Sequence, residues 1–467
     1  MFYDSLTRIA PDLSVEPGVA KEWSANDSAD EWTFTLRDDV SFHDGGAVTA
    51  SDVAATFNTV YSDDVGSPGK GTMGSIESVE VVDETTVQFT LPNSNSDFPK
   101  LVCKAYGSIV PEDVVTDADA RKALGSEERG SGPFVLESFS AGDHLTGVRN
   151  EDYHLTAEDG DPLPYVDKVT IKTLPEPSSR MNALRNGEID MIWKPDPARW
   201  NEFKNLDGAT THRVSGGLFN NIVMDVSVEP WSDKRVRQAV MWAVDREKII
   251  QGAANGLGEV ANDQPISPAY ADHSGDVAAR EQDLEKAEQL LADAGYPDGF
   301  DLTEEFGMTC PVPETHSMNR VAILLKEQVQ QIGIDFEIET MSYSDWISNE
   351  WTKADFYVSS YGMRISGANF LKLLLHSEGG WNNESHYSNA DLDTVIDNAI
   401  AETDPEKKQE YMTEAQQIIR DEGPYSIPMW QDALGVTNDY VKNFELFPVS
   451  FIEYPEYYAL SGNAPTK

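Results

Sequence analysis

The segment Gly130-Ser-Gly-Pro133 separates two parts of the chain whose hydrophobic patterns differ. Before it, residues 32–91 combine alternating, strand-like runs with one helix, and Thr49-Ala-Ser-Asp52 has the form of a capping box at the start of that helix. After it, strands and helices alternate, beginning with a helix over 178–186 that stands between two strands. Because glycine, serine and proline together are typical of a connection, the pattern predicts an α/β protein with a small α+β domain ahead of residue 133.

The net charge restricts the partners of the chain. Its 467 residues include 81 Asp and Glu against 35 Lys and Arg, which gives a formal net charge of −46. A nucleic-acid-binding protein needs a basic surface, and an anionic membrane surface would repel this chain, so neither partner is expected. The acidic residues are spread over many turns and loops, as on a globular surface that stays soluble in concentrated salt. The composition favours a halophilic source, and a calcium-loaded or merely acidic mesophilic protein stays open as the alternative.

Two cysteines, Cys103 and Cys310, lie far apart in the sequence, so we expect two separate buried thiols rather than a disulfide. No run of residues approaches the ~18 consecutive apolar residues of a membrane-spanning helix. The sequons at Asn26 and Asn383 matter only if the chain is extracellular.

Motifs for catalysis are missing from the sequence. It has no HExxH, GxSxG or P-loop motif, and its histidines never fall four residues apart on a predicted helix. Pairs of carboxylates are so frequent among 81 acidic residues that spacing alone nominates no glycosidase pair. We therefore predict no catalytic residue, no metal site and no cofactor.

Aromatic residues offer a different kind of site. Those predicted to lie in loops are Trp193, Phe219, Tyr361, Trp381, Tyr387 and Trp430. Taken singly, such a residue more often packs between domains than contacts a ligand. Several that converge from separate segments would form the apolar wall of a binding pocket.

Seven stretches follow one another in a fixed order across nearly the whole chain. They are Trp32-Thr-Phe-Thr-Leu-Arg-Asp-Asp-Val-Ser-Phe-His-Asp-Gly45, Val48-Thr-Ala-Ser-Asp-Val53, Gly130-Ser-Gly-Pro-Phe134, Ala183-Leu-Arg-Asn-Gly-Glu-Ile-Asp190, Val236-Arg-Gln-Ala-Val-Met-Trp-Ala-Val-Asp-Arg246, Glu285-Lys-Ala-Glu-Gln-Leu-Leu-Ala-Asp-Ala-Gly-Tyr-Pro-Asp-Gly299 and Ile427-Pro-Met-Trp430. In this order and spacing they resemble the conserved blocks of the family 5 extracellular solute-binding proteins, the peptide, oligosaccharide and nickel-chelate receptors of ABC importers.

The resemblance implies a two-lobed fold like that of the type II periplasmic binding proteins, with a small extra α+β domain. It assigns residues 1–132 to domain II, residues 133–231 and 438–467 to domain I, and residues 232–437 to domain III. In such receptors the two lobes close around a hinge, over a ligand held between domains I and III. That architecture requires no nucleophile.

The start of the chain departs from the family. Members have a signal peptide and further residues before the block that resembles Phe2-Tyr-Asp-Ser-Leu6, and these residues supply the first strand of domain I. We therefore expect the start to be truncated or misannotated. The complete protein is expected to be lipid-anchored at the extracellular face of the cell membrane, where members of the family work.

A second departure falls in the expected ligand site. In the peptide receptors of the family, an Asp ahead of a Phe-Leu pair binds the amino terminus of the peptide. An ungapped match to Phe370-Leu371 places Met363 at that position, with Arg364 beside it. A thioether and a guanidinium cannot neutralise an ammonium group, so an anionic or hydroxyl-rich ligand is favoured over a free peptide amine. The predicted ligand-binding residues are Trp193, Phe219, Asn220, Tyr361, Met363, Arg364, Trp381 and Trp430.

Three functions are compatible with the sequence, in order of preference. The first is a monomeric, extracytoplasmic substrate-binding protein that captures a peptide-like or other small organic solute. Such a protein delivers the solute to the permease subunits of an ABC-type importer, without catalysis. The alternative is a secreted acidic hydrolase with a carboxylate pair in its cleft, and the third is a sensor or chaperone-like use of the same fold.

Overall fold

The structure is a computed structural model that describes residues 1–62, 65, 67, 76–103, 107–125, 129–158, 160–314, 317–380, 384–449, 452, 454–461 and 464. The chain divides into two compact units. Unit 1 comprises Met1–His212, Leu434–Phe447 and Phe451–Lys467, and unit 2 comprises Arg213–Ala433 and Pro448–Ser450. The division into three domains at residues 132, 231 and 437 stays a prediction.

Unit 1 contains a four-stranded and a three-stranded antiparallel sheet. The first has the order β3-β4-β6-β5, with β3 at Ala20–Ala25, β4 at Glu31–Leu36, β5 at Ser78–Asp83 and β6 at Thr86–Thr90. The second has the order β7-β8-β9, with β7 at Phe134–Ser140, β8 at His144–Arg149 and β9 at Lys168–Lys172. Shorter strands are β1 (Thr7–Ile9), β2 (Val15–Pro17), β10 (Met191–Trp193), β20 (Val441–Lys442) and β21 (Ala459–Leu460).

The helices of unit 1 are short. They are α1 (Ala50–Val60), α2 (Phe98–Leu101), α3 (Glu112–Val115), α4 (Ala118–Ala123), α5 (Pro177–Arg185) and α6 (Trp200–Lys204), with 3₁₀ turns at Pro197–Arg199 and Pro455–Tyr457. The capping box predicted for α1 is confirmed, because the Thr49 N–H donates to the Asp52 carboxylate at 2.9 Å.

An aromatic core holds α1 on the four-stranded sheet. Phe34 and Phe89 come from β4 and β6, and Phe57 comes from α1; all three are fully buried. The ring of Phe89 meets Phe34 edge-on at 5.5 Å and Phe57 edge-on at 5.0 Å. Such contacts add to the free energy gained by burying the rings, so the alternating pattern over 32–91 closes into one small core.

Gly130-Ser-Gly-Pro133, whose composition is typical of a loose connection, is a buried segment. Residues 130–134 are all buried, and the chain start lies directly against them. The Gly132 N–H donates to the Phe2 carbonyl at 2.9 Å, and the Phe134 N–H donates to the Met1 carbonyl at 3.2 Å. A Cβ atom on Gly130 would stand 1.8 Å from the Phe2 carbonyl oxygen. The glycines therefore permit a close approach of two backbones, which local composition cannot distinguish from a loose connection.

The strand-helix-strand order around α5 is present, but its two strands belong to different sheets. β9 pairs with β8, whereas β10 pairs antiparallel with the Gly435–Thr437 end of a later strand. The segment from β9 to β10 is therefore not a parallel βαβ crossover.

A buried ion pair joins the two ends of unit 1. The Arg8 guanidinium contacts the Glu456 carboxylate at 2.7 Å, and both side chains are almost fully buried. The same guanidinium lies 3.9 Å above the ring centroid of Tyr454, and it donates to the Tyr153 hydroxyl at 3.3 Å. Residues near the amino terminus are thus fixed by residues near the carboxyl terminus.

Unit 2 is organised around two long strands, β11 (Ala209–Met224) and β19 (Met429–Asn438), each of which continues from one unit into the other. Within unit 2, β11 pairs with β17 (Phe356–Tyr361) and β18 (Tyr425–Ser426), and β12 (Gly258–Val260) pairs with β19. Two parallel pairs are β13 (Phe300–Asp301) with β15 (Ile334–Asp335) and β14 (Cys310–Pro313) with β16 (Ile338–Met341).

The part of unit 2 that the structure describes contains nine α-helices. They are α7 (Lys234–Ala243), α8 (Arg246–Ala254), α9 (Leu284–Ala294), α10 (Leu302–Phe306), α11 (Ser317–Val329), α12 (Tyr343–Asn349), α13 (Gly367–Leu375), α14 (Ala390–Ala401) and α15 (Pro405–Glu422), with a 3₁₀ turn at Gln330–Ile332. Asp245 and Asp283 accept backbone N–H groups at the starts of α8 and α9, at 3.1 and 2.9 Å. Acidic residues therefore stabilise these helix starts as N-caps.

Cys103 and Cys310 are both buried and are not joined in a disulfide, as predicted. Burial raises the pKa of Cys310 to about 12, so its thiol is protonated at neutral pH. None of the helices in the described part of the chain has the length and apolar character needed to cross a membrane.

We predict that Gly130→Ala destabilises the protein by about 3 kcal/mol, because the added Cβ forces the backbone of Phe2 away. Gly275→Ala is the matched control, since a Cβ at Gly275 meets no atom within 4 Å. Urea unfolding of both variants in molar KCl measures the difference. Equal midpoints would show that the contact between the chain start and residue 130 does not stabilise the fold.

Candidate functional site

Three of the predicted ligand-binding residues lie together in unit 2. Phe219 and Tyr361 face each other on β11 and β17, with ring centroids 5.9 Å apart, and Phe370 from α13 lies 6.1 Å from Phe219. The side chain of Met363 covers Gly217, where a Cβ would stand 2.9 Å from the Met363 Cγ and Sδ atoms. The glycine thus makes room for the thioether, and the cluster forms one apolar wall.

Asn220 lies on the opposite face of β11 and is fully buried. Its Oδ1 accepts from the Gln431 Nε2 at 2.8 Å, and its Nδ2 donates to the Ser359 carbonyl at 3.3 Å. The predicted residue is therefore part of an amide pair with Gln431, a residue of β19 that the sequence did not single out. The half-buried Gln431 amide can exchange this hydrogen bond for one to a ligand.

Trp430 is the residue before Gln431 and has only 3% of its surface exposed. Its Nε1–H donates to the Gln264 carbonyl at 3.1 Å, and the ring of His273 meets it edge-on at 5.5 Å. The indole is therefore fixed by a hydrogen bond at its N–H group and by a ring contact with His273.

Asp263, the residue before Gln264, is fully buried and forms ion pairs with two arginines. Its Oδ2 contacts Arg246 at 2.5 Å and Arg280 at 3.3 Å. Its Oδ1 accepts from the Ser426 hydroxyl at 3.0 Å and from the Ile427 N–H at 3.2 Å. The Asp263 carboxylate thus has both counter-ions and hydrogen-bond donors. It fixes the position of the adjacent Gln264, whose carbonyl accepts the indole N–H of Trp430.

Arg364 lies beside the Met363 wall and is half-buried. Its backbone N–H donates to the buried Tyr270 hydroxyl at 3.0 Å, and its Nη1 donates to the Gly362 carbonyl at 2.9 Å. The guanidinium stands 5.7 Å from the ring centroid of Phe370. A guanidinium in this setting can form a forked hydrogen bond with a carboxylate or phosphate.

Trp193 belongs to unit 1, where it ends β10. It is 38% exposed, and the ammonium of Lys194 lies 4.4 Å from its ring centroid. Trp381, like the sequon residue Asn383, lies outside the described residues. Asn26, the other sequon residue, is exposed in the turn between β3 and β4.

The expectation that these aromatics lie in loops is wrong for four of them. Trp193, Phe219, Tyr361 and Trp430 all belong to strands, and the last three are buried. Tyr387 lies outside helices and strands, but it is buried and accepts a hydrogen bond from Asn389 at 3.0 Å. Sequence patterns around each aromatic were too short to separate a strand end from a loop.

Sequence reasoning missed Glu384, a fully buried carboxyl in unit 2. Its Oε2 accepts from the Tyr361 hydroxyl at 2.6 Å and from the Tyr425 hydroxyl at 3.2 Å. Burial raises the pKa of Glu384, although these hydrogen bonds act in the opposite direction. Glu384 is one of 81 acidic residues, and its partners lie 23 and 41 positions away, so no local pattern could have revealed it.

Within the described ranges, no group of three or more His, Cys, Asp or Glu side chains is placed to hold a metal ion. The arrangement offers apolar walls, two amides and one guanidinium. Groups of this kind bind and orient a solute by stacking and hydrogen bonding.

Comparison with known proteins gives a family and a fold. The family model "Bacterial extracellular solute-binding proteins, family 5 Middle" matches residues 14–382. Heme-binding protein A of Haemophilus influenzae is 28% identical over 440 residues, 88% of this chain and 78% of that protein. The oligopeptide-binding protein AppA of Bacillus subtilis is 27% identical over 451 residues, 91% of this chain and 80% of that protein.

A solved structure with the same fold is the ABC transporter-associated periplasmic binding protein DppA of Helicobacter pylori, in complex with the peptide STSA. It is 23% identical, has a TM-score of 0.83, and the match covers 98% of this chain and 92% of that one. The predicted α/β fold of the type II periplasmic binding proteins is confirmed.

We predict that Gly217→Ala lowers the free energy of unfolding by about 1–2 kcal/mol, because the added methyl group displaces Met363. The cost should fall to nearly zero when Gly217→Ala is made in a Met363→Ala background, where the cavity accepts the methyl group. A double-mutant cycle by urea unfolding measures this coupling. Strictly additive costs would contradict the contact between the two residues.

Proposed function

This chain belongs to the family 5 extracellular solute-binding proteins and is a substrate-binding protein of an ABC-type importer, and we propose that it captures a small organic solute without catalysis. The observation that carries the proposal is the family match over residues 14–382, together with a fold that is matched over nearly the full chain. The relatives are binding proteins, and none of them supports the alternative of a secreted hydrolase.

Most of the proposed ligand-binding residues lie in unit 2. They are Phe219, Tyr361, Met363, Arg364 and Trp430, with Asn220 and its partner Gln431 as amide groups. Trp193, a residue of unit 1 that is 38% exposed, belongs to the proposed set as well. Trp381 completes the proposed set. The clustering of Phe219, Tyr361 and Met363 in unit 2 supports it.

The ligand class follows from the charges of these groups. The position at which a peptide receptor would place an acid holds Met363, and the neighbouring cation is Arg364. A carboxylate, phosphate or hydroxyl-rich solute fits this pair better than a free ammonium group. The ligands named for the relatives, heme and oligopeptides, are chemically diverse, so the family match alone does not choose among solutes.

The place of action in the proposal is the extracellular face of the cell membrane, with the permease subunits as partners and a monomer as the working form. Lipid attachment is part of the same proposal. Mass analysis of the protein purified from its source membranes tests it, because a thioether-linked lipid adds a defined mass to the amino-terminal peptide.

A thermal-shift screen tests the binding function. Anionic solutes, oligosaccharides, peptides and metal chelates are added one at a time in molar KCl. A ligand present at 100 times its dissociation constant should stabilise the folded protein by about 2.7 kcal/mol. Product analysis after incubation must show the ligand unchanged, since turnover would support the hydrolase instead.

We predict that Arg364→Ala weakens binding of an anionic ligand by about 2–5 kcal/mol with little loss of stability. Arg185→Ala, which removes an exposed arginine of unit 1, is the matched control. Trp430→Ala should also weaken binding, but it disturbs a buried indole and lowers stability as well. Calorimetry with the ligand from the screen measures both variants; wild-type affinity in both would place the ligand elsewhere.

We predict that the melting temperature rises steeply with KCl concentration. A net charge of −46 makes the folded surface repel itself at low ionic strength, where the Debye length is about 30 Å at 0.01 M. At 1 M the Debye length is about 3 Å, and the repulsion is screened. Calorimetric scans from low to molar KCl test the halophilic character, which a flat curve would exclude.

A further inference from the structure

One face of the β11–β17 pair in unit 2 carries a row of buried polar groups. In register along this face, Phe219 opposes Tyr361, Asn221 opposes Ser359, and Val223 opposes Tyr357. Val223 also pairs with Tyr425 of β18. The Asn221–Ser359 pair therefore lies between the Phe219–Tyr361 pair on one side and the Val223–Tyr357 pair, which is joined by Tyr425, on the other.

The carboxyl group of Glu384 bridges the two pairs that flank Asn221–Ser359. The hydroxyl groups of Tyr361 and Tyr425 both donate to its Oε2, from the two rows on either side of Asn221. The next residue, Ser385, is tied to the end of β11, because its carbonyl accepts the Val226 N–H at 3.0 Å. The carboxyl group, the Asn221 amide and the Ser385 hydroxyl therefore belong to one small region of unit 2.

Three polar atoms of this region, Asn221 Oδ1, Asn221 Nδ2 and Glu384 Oε1, form no hydrogen bond with the described residues. The Ser385 hydroxyl is paired with the Tyr425 hydroxyl, which leaves a lone pair on its oxygen. Asn221 and Ser385 are 0% exposed and Glu384 is 1% exposed, so bulk water does not reach them. Leaving a buried polar atom unpaired costs roughly 1–3 kcal/mol, and a set of three in one region indicates a common partner.

The charge of the region indicates what that partner is. In the described part of the chain, Glu384 forms no ion pair with Lys, Arg or His, and its hydrogen bonds come from the uncharged hydroxyl groups of tyrosines and of Ser359. Residues 381–383, which precede it, are Trp-Asn-Asn and contain no cationic side chain. Burial without a counter-ion raises the pKa of Glu384, and one bound positive charge would hold the carboxylate ionised, whereas a divalent ion would leave an uncompensated buried charge.

We propose that Glu384, Asn221 and Ser385 form a binding site for one monovalent alkali cation, Na⁺ or K⁺. The donors are Glu384 Oε1, Asn221 Oδ1 and Ser385 Oγ, all of them oxygen atoms, which hard cations prefer over nitrogen or sulfur. A water molecule bound to the cation accepts the remaining Asn221 Nδ2–H. Tyr361, a residue of the proposed solute site, donates to Glu384, but the cation proposal does not depend on the solute, because its measured effects are on stability and on cation binding.

Thermal unfolding in three salts tests the site. NaCl, KCl and choline chloride are compared at the same ionic strength, so that screening is constant and only the coordinating cation changes. The alkali salts should raise the midpoint by about 2–4 °C over choline chloride, and the increase should saturate with concentration. Equal midpoints in all three salts would overturn the proposal.

Two variants separate this site from the acidic surface. Glu384→Gln keeps the shape of the side chain but removes its charge, and it should abolish the difference between the alkali salts and choline chloride. Glu378→Gln makes the same charge change at an exposed residue six positions earlier and should leave the difference intact. A full alkali effect in Glu384→Gln would contradict the assignment.

A direct observation on the wild-type protein keeps the test decisive if Glu384→Gln does not fold. Crystals soaked in a thallium(I) salt, which replaces K⁺, should show an anomalous peak within bonding distance of Glu384 Oε1 and Asn221 Oδ1. A water molecule at that position, with no anomalous signal, would show that the polar groups are hydrated rather than bound to a cation.

Discussion

The buried carboxylate of Asp263 is the constraint on which the organisation of unit 2 depends. Arg246 and Arg280 neutralise it, and the Ser426 hydroxyl and the Ile427 N–H complete its hydrogen bonds. Removing one partner of such a cluster leaves a buried charge uncompensated, at a cost of about 3–5 kcal/mol. Because the next residue, Gln264, receives the indole N–H of Trp430, an ion cluster made by α8 and two distant segments determines where a proposed ligand-contacting residue stands.

The many acidic residues of the chain serve three different purposes. Some cap helices, as Asp245 and Asp283 do, where they satisfy backbone N–H groups that have no partner within the helix. A few are buried with cations, as Asp263 and Glu456 are. Many others form an exposed anionic surface, whose repulsion depends on the salt around it. The same residue type is thus locally stabilising at helix starts and globally destabilising as a surface charge.

Local patterns in the sequence were sufficient for elements that stabilise themselves locally. The capping box of α1 and the hairpin β5–β6 both follow from residues a few positions apart. Contacts between distant segments were not accessible in this way. Gly130 resembled part of a connection because its contact, Phe2, is far away in the sequence. Glu384 resembled one more surface acid because its partners, Tyr361 and Tyr425, are also distant in the sequence. The placement of Phe219, Tyr361 and Trp430 in strands depends on pairing with other strands, which single-segment periodicity does not report.

The insertion of unit 2 into unit 1 has a consequence for the order of biosynthesis. Strand β10 receives its partner from Leu434–Phe447, and Arg8 receives its carboxylate from Glu456, so unit 1 is completed by residues that are synthesised after most of unit 2. At a translation rate of about 5–20 residues per second, residues 213–433 alone take roughly 10–45 s to synthesise. During that interval the amino-terminal part of the chain lacks its closing strand and its buried counter-ion. A polypeptide built in this order stays incompletely folded until the segments after residue 433 emerge.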